Sequence, residues 1–263
     1  MEHTQPIEVV SYNLNWPVLF ELEAAKIKET LGDNCLAIHH IGSTAVPGLA
    51  AKPVIDMIPV VQDIMLVDKA TSTMQALGLE AKDEYGILFR RYFRKENANI
   101  HVYEQGSGEI DRCLKFRDWM RTHPADRQAY AQLKNTLAQK FPNDIYGYCS
   151  GKDAFVAAID EKTGVSGIRV VKALTPGEWS FAKKANVNLN SDLIENLDHL
   201  HLILYQGSNI VGYTHIELLP AQRQAIFHNV FIEKNYLDSK EPFLTLCKKW
   251  LKSQGYNNFK QMA

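Results

Sequence analysis

The sequence predicts an α/β (α+β) chain built as two unequal domains, and three observations carry that expectation. Short apolar runs of strand length alternate with stretches of helical spacing from residue 16 to about residue 160. A small, polar segment, Lys162-Thr163-Gly164-Val165-Ser166-Gly167-Ile168, then interrupts the pattern. Beyond it the order of elements changes. The expected domains are 1–164 and 165–263.

In the first domain, Asn15 is placed to cap a helix that Trp16 and Pro17 open, because proline is tolerated in a first turn. Trp16, Phe20, Ala24, Ile27 and Leu31 keep one helical face, and Gly32 ends it. Residues 36–41 read as a strand, 42–53 as a turn-rich loop, and 54–61 as a second strand apolar enough to be central. A helix over 63–77 stops at Gly78. Strands follow at 87–94 and 99–104, then helices at 110–121, 124–140 and 151–161, the last with Ser150 as N-cap. In the second domain a strand at 168–173 and a helix at 176–185 precede a hairpin, 199–205 and 210–219, then a strand at 225–232, a helix at 242–254 and a strand at 257–262.

Composition narrows the function classes. Of 263 residues, 46% are apolar, enough for a full core, and 29 Lys and Arg nearly cancel 30 Asp and Glu. Such balance provides no global field for a polyanion, so nucleic acid is not expected as the main partner, although local basic clusters suit a small phosphorylated ligand. The four cysteines, Cys35, Cys113, Cys149 and Cys247, are scattered and suggest neither a zinc site nor a disulfide framework. The N-terminal residues lack a signal-peptide pattern and no run is long enough to span a bilayer, so a cytoplasmic address without membrane association is expected.

The most informative stretch is His39-His40-Ile41-Gly42-Ser43-Thr44-Ala45-Val46-Pro47-Gly48-Leu49-Ala50-Ala51-Lys52-Pro53-Val54-Ile55-Asp56. A Gly-Ser pair after a strand lets backbone amides and a hydroxyl approach phosphate oxygens, since glycine has no Cβ in the way. An aspartate on the adjacent strand can hold a divalent cation, and Lys52 adds a positive charge on the same loop. An unpaired carboxylate on an otherwise buried strand is costly, which argues for a role beyond packing. His40 and His101 can equally be satisfied core histidines.

This stretch resembles the signature of the nucleotidyltransferase fold, and the longer string is similar to the GrpB family within that superfamily. Trp16 and Phe20, His101 in "NIHVYE", "KFRDWMRTHP" at 115–124, "YAQLK" at 130–134 and "GKDAF" at 151–155 extend the resemblance over residues 7–160. It implies a mixed sheet flanked by helices. It also implies a phosphate cradle of Gly42, Ser43 and Thr44, a divalent metal (Mg²⁺ or Mn²⁺) on Asp56 and His101 as the catalytic pair, and Lys52, Arg117, Lys134 and Lys152 as cations around an NTP. The sequence departs from active enzymes of that fold at Ile58, where a second carboxylate is usual, and at His101, where a third is. One carboxylate and one imidazole suit Mg²⁺ poorly. The run Gly147–Lys152 superficially resembles a P-loop, but its spacing is one residue short and Asp153 stands where Ser or Thr is needed.

The second domain resembles the GNAT acetyltransferase fold, through the hairpin "LILYQGSNIVGYTHIEL" and the segment 230–256. The Gly-rich loop that grips acetyl-CoA there is replaced by Leu237-Asp238-Ser239-Lys240-Glu241-Pro242, with neither glycine and one donor N–H deleted. The sequence ends before the final helix and strands of that fold, so an incomplete GNAT-like domain is expected, without acetyl-CoA. Its open sheet edge makes a homodimer an expectation. Three readings follow. One is transfer of a nucleotidyl group to a small-molecule or protein acceptor. Another is a non-catalytic nucleotide- or CoA-type binding module. A third is an acetyltransferase with an accessory first domain.

Overall fold

In the computed structural model, which describes residues 6–262, the apolar face of the first helix is buried as its spacing requires. Trp16, Phe20, Ala24, Ile27 and Leu31 all face inward along α1 (Trp16–Leu31), and Gly32 ends it with a left-handed φ of 55°. Asn15 does not cap it through its side chain; its N–H instead donates to Asn13 Oδ1 at 2.9 Å.

The chain divides into two compact units. One runs to Tyr85 and resumes at Arg90–Gly167; the other takes Gly86–Phe89 and everything from Ile168 onward. The first unit holds a five-stranded sheet in the order β1-β2-β5-β4-β3, formed by β1 (Cys35–Ile41), β2 (Ile55–Val61), β3 (Glu80–Ala81), β4 (Arg91–Lys95) and β5 (Ala98–Glu104). β2 lies between β1 and β5, antiparallel to the first and parallel to the second. It is apolar on both faces except at Asp56. Helix α1 lies against β1 and β2.

The helix expected over 63–77 is broken into α2 (Met65–Lys69) and α3 (Thr71–Ala76) at Ala70. Helices α4 (Gly108–Thr122) and α5 (Pro124–Lys140) follow, the latter with proline in its first turn. The helix expected at 151–161 is preceded by an unforeseen one. Asp144 caps α6 (Ile145–Ser150) through Gly147 N–H, and α7 (Asp153–Lys162) starts after a break at Gly151-Lys152. Ser150 therefore caps nothing; its hydroxyl donates back to the Tyr146 carbonyl, a bond characteristic of a serine within a helix.

The strand expected at 87–94 is also divided. Residues 86–89 belong to the second unit, where Leu88 N–H donates to Val170 O and Lys172 N–H to Gly86 O. Left-handed backbone at Tyr85, Gly86 and Phe89 turns the chain at both ends of this segment, a geometry hidden from a hydropathy pattern.

The second unit is a five-stranded sheet in the order β10-β9-β8-β7-β6, from β6 (Ile168–Lys172), β7 (His199–Gln206), β8 (Asn209–Leu219), β9 (Gln224–Ile232) and β10 (Asn258–Gln261). Only the β9–β10 pair is parallel. A Gly207-Ser208 turn closes the β7–β8 hairpin, with Gly207 at φ 58°. α8 (Pro176–Ala185) carries a full capping box between Thr175 and Glu178. A short α9 (Ser191–Glu195) was not evident from the sequence. α10 (Lys240–Ser253) buries Phe243, Leu244, Cys247, Trp250 and Leu251 along one face. Among the described residues all four cysteines are free thiols, and no helix is long and apolar enough to cross a membrane.

Leu88 is 6% exposed within the second unit's core. Leu88→Ala should cost about 2–4 kcal/mol. Hydrogen exchange should then accelerate at the amides of β6 and β7 while those of β1 and β2 stay unchanged.

Candidate functional site

The site grows from the register of the three central strands. Ile41 lies opposite Asp56 across β1–β2, Asp56 opposite Asn99 across β2–β5, and Tyr92 opposite His101 across β5–β4. Because side chains alternate along a strand, Asn99 and His101 share a face and Asp56 joins them. Asn99 Nδ2 donates to Asp56 Oδ1 at 2.8 Å, and the Tyr92 hydroxyl donates to Asn99 Oδ1 at 2.8 Å. His101 Nε2 stands 3.8 Å from the same Asp56 oxygen, and its ring stacks on Tyr92. Burial, and then the negative charge of Asp56, push the Tyr92 phenol up to about 12, so it remains a donor.

Gly42 closes over Asp56 from the other side. Its φ is 69°, and an added Cβ would meet Asp56 Oδ2 at 2.7 Å and the Asp56 Cβ at 3.1 Å. Glycine is therefore required twice, by backbone conformation and by the carboxylate packed against it. Ser43 follows in a 3-10 turn (Ser43–Ala45).

Lys134 reaches this turn from α5. Its side chain is 2% exposed, and Nζ donates to Ser43 Oγ at 2.9 Å and to the Ala50 carbonyl, over the face of Tyr130. All three of these neighbours are neutral, and among the described residues no carboxylate pairs with the amine. Burial, then repulsion from Lys152, lower its pKa to about 7. Lys52 is lowered by the same burial and also feels Lys152, with Asp56 opposing. Lys52 and Lys152 both lie over the ring of Tyr148, at 5.9 and 4.5 Å from its centroid. Lys152 thus repels both Lys134 and Lys52 around a loop that leads to a single aspartate.

Other expected residues have different duties. Thr44 is buried and its hydroxyl bonds His40 Nε2 at 3.0 Å. His40 stacks on Phe20 and burial lowers its pKa to about 4, so it is a neutral core histidine. Arg117 donates to the His40 carbonyl and to Asp118, and Arg121 donates twice to the Ala45 carbonyl. Arg117 therefore braces the loop, because its guanidinium is engaged by backbone and by Asp118. Asp56 and His101 stand together, but Ile58, next on the Asp56 face, is fully buried. Among the described residues no three His, Cys, Asp or Glu side chains converge as a resident metal would need. The structure adds Tyr92, Asn99 and Tyr148. Asn99 could have been found from its two-residue spacing to His101, whereas nothing in the sequence singles out Tyr148.

Residues 6–162 match the family described as "GrpB protein". The chain belongs to the GrpB family. A relative, UPF0157 protein YqkA of Bacillus subtilis, is 42% identical over 159 residues, 59% of this chain and 46% of YqkA, so the matched part spans about half of that relative. The crystal structure of conserved protein GrpB from Enterococcus faecalis aligns with 40% identity and a TM-score of 0.57, covering 59% of this chain and 96% of that one. An acetyltransferase of the GNAT family from Staphylococcus aureus aligns over 37% of this chain at 14% identity and a TM-score of 0.30, too slight a likeness to establish a fold for any part of it. The GrpB match contains every residue of the Asp56 cluster.

Gly42→Ala should destabilise the protein by roughly 1–3 kcal/mol, from left-handed strain and the collision with Asp56. In the Asp56→Ala background the 2.7 Å collision with the carboxylate oxygen is gone and only the 3.1 Å approach to Cβ stays. Chemical denaturation of the four proteins of this double-mutant cycle should show the smaller penalty there, with a coupling of at least about 0.5 kcal/mol.

Proposed function

We propose that the GrpB unit binds a small phosphorylated ligand of nucleoside triphosphate type on the Gly42-Ser43 turn. The single observation that carries this reading is Lys134, a buried amine on Ser43 with no acidic counter-ion. A buried ammonium without a partner is costly, and a second and third lysine nearby raise that cost. A polyphosphate supplies the missing negative charge, and charge-assisted bonds to its oxygens replace the neutral ones now made by Nζ. Lys52 and Lys152, held over Tyr148, would meet the outer phosphates.

A divalent cation fits here as one that arrives with the ligand. Asp56 and His101 would hold it, phosphate oxygens and water would complete its shell, and it would neutralise charge on the phosphates. Asp56 also repels a bare polyanion, so the cation and the Gly42 turn together define where phosphate sits. Transfer of a nucleotidyl group is the second reading, favoured by the packing of Asp56 against Gly42, the residue before Ser43. The buried Ile58 beside Asp56 counts against it, and label transfer from α-labelled nucleotides decides between transfer and binding alone.

Isothermal calorimetry with tripolyphosphate and with ATP, each with Mg²⁺ or Mn²⁺, tests the reading. Lys134→Met should weaken binding by about tenfold or more, the worth of a charged hydrogen bond, without lowering the unfolding temperature of the free protein. Wild-type affinity should fall as pH rises through about 7, because the free amine loses its proton there while the bound state needs the ammonium. Absence of heat with every ligand, or unchanged affinity in Lys134→Met, contradicts it.

A further inference from the structure

A second feature adjoins the turn at Gly42. A cavity of about 140 Å³ is lined by Ile41, Gly42, Cys113, Phe116 and Val156, with Arg112 and Asp160. Its wall is almost entirely apolar and it is formed by the end of β1, by α4 and by α7. The volume lies well below the roughly 300 Å³ at which sites for drug-sized ligands begin, so it suits one flat ring system rather than a whole ligand.

The polar residues among its lining form one paired group. Arg112 Nε donates to Asp160 Oδ2 at 2.7 Å, and Arg112 also stands 3.7 Å from Glu109. Asp160 is 1% exposed, so this pair is fixed within the core rather than floating in solvent. Of the two, the Arg112 side chain is 21% exposed and Asp160 holds it in place, so Arg112 is the member with donors available at the cavity. The edge of every nucleobase offers an acceptor to such a donor, on a ring whose faces are apolar and stack on aromatic side chains such as Phe116. Gly42 belongs both to this cavity and to the turn facing Asp56, so a ligand with phosphate on the turn has its remaining part next to the cavity mouth.

We infer that this cavity receives the base of the bound nucleotide, with Phe116 and Val156 against its faces and Arg112–Asp160 at its edge. The inference rests on the phosphate reading of the Gly42-Ser43 turn. It makes the first unit selective for a nucleotide over a bare polyphosphate. Phe116 and Val156 are positioning residues for the ring and leave the lysines untouched.

The test compares tripolyphosphate with ATP, GTP, CTP and UTP on the full chain, by calorimetry at one pH and one Mg²⁺ concentration. At least one nucleotide should bind about tenfold or more tightly than tripolyphosphate, the worth of one base stacked on an aromatic ring. Val156→Phe, a filling change at a half-buried helix position, should remove that advantage and leave tripolyphosphate affinity unchanged. Phe116→Leu should reduce it in the same direction, as a second variant with less bulk to accommodate. Equal affinity of tripolyphosphate and all four nucleotides overturns the base cavity and leaves the phosphate reading standing. So does a Val156→Phe protein that keeps the full nucleotide advantage. Failure of tripolyphosphate and nucleotides alike overturns both.

Discussion

The arrangement of the first unit depends on how a buried lysine is accommodated without an acid. Lys134 lies in the core against Ser43, Ala50 and Tyr130, and its charge is opposed by burial and by Lys152. The loop between β1 and β2 is shaped around this problem. Carbonyls of this loop and of the end of β1 that leads into it are turned toward cationic side chains of α4 and α5, His40 O to Arg117, Ala45 O to Arg121 and Ala50 O to Lys134. Each bond satisfies a backbone acceptor that a loop would otherwise present to water. The result is a rigid turn with Gly42 folded onto Asp56, positive charge on one side and a lone carboxylate on the other. The proposed polyphosphate, arriving with its own cation, would match such a balance.

Much of this was legible in the sequence. The spacing of Trp16, Phe20, Ala24, Ile27 and Leu31 defines α1, and the Gly-Ser and Asp56 pattern marks a turn in which Gly42 packs on the Asp56 carboxylate. Lys52, Lys134 and Lys152, though far apart in sequence, do meet around Tyr148 and Ser43. What stayed hidden has identifiable physical causes. Arg117 shares its chemistry with the lysines, and only tertiary contacts show that its donors serve the His40 carbonyl and Asp118. Thr44 follows Ser43, yet the 3-10 turn sends its hydroxyl to His40. Residues 86–89 look like the start of β4 by hydropathy, but left-handed backbone at Tyr85 and Phe89 diverts them into the other sheet. The break at Ala70 has no strong punctuating residue to announce it, whereas α6 is bracketed by Pro142-Asn143-Asp144 and Gly151, signals the hydropathy pattern alone does not weigh.

The second unit has its own core, and on its sheet a stack of imidazoles. His201 stacks on His215, His215 on His228, and His199 Nδ1 lies 2.7 Å from His215 Nε2. Burial, then its three histidine neighbours, depress His215 to about 4, so its ring packs as a neutral aromatic near neutral pH. Polar bonds complete them, His201 to Tyr213 and Leu193 O, and His228 to Glu217.

The claim that Lys134 awaits an external counter-ion is tested most directly by a crystal structure with tripolyphosphate and Mn²⁺ bound. The account predicts a phosphate oxygen within hydrogen-bonding distance of both Lys134 Nζ and Ser43 Oγ, with the metal between the phosphates and Asp56. Tripolyphosphate bound elsewhere on the surface, with Lys134 still donating only to Ser43 and Ala50, would contradict it.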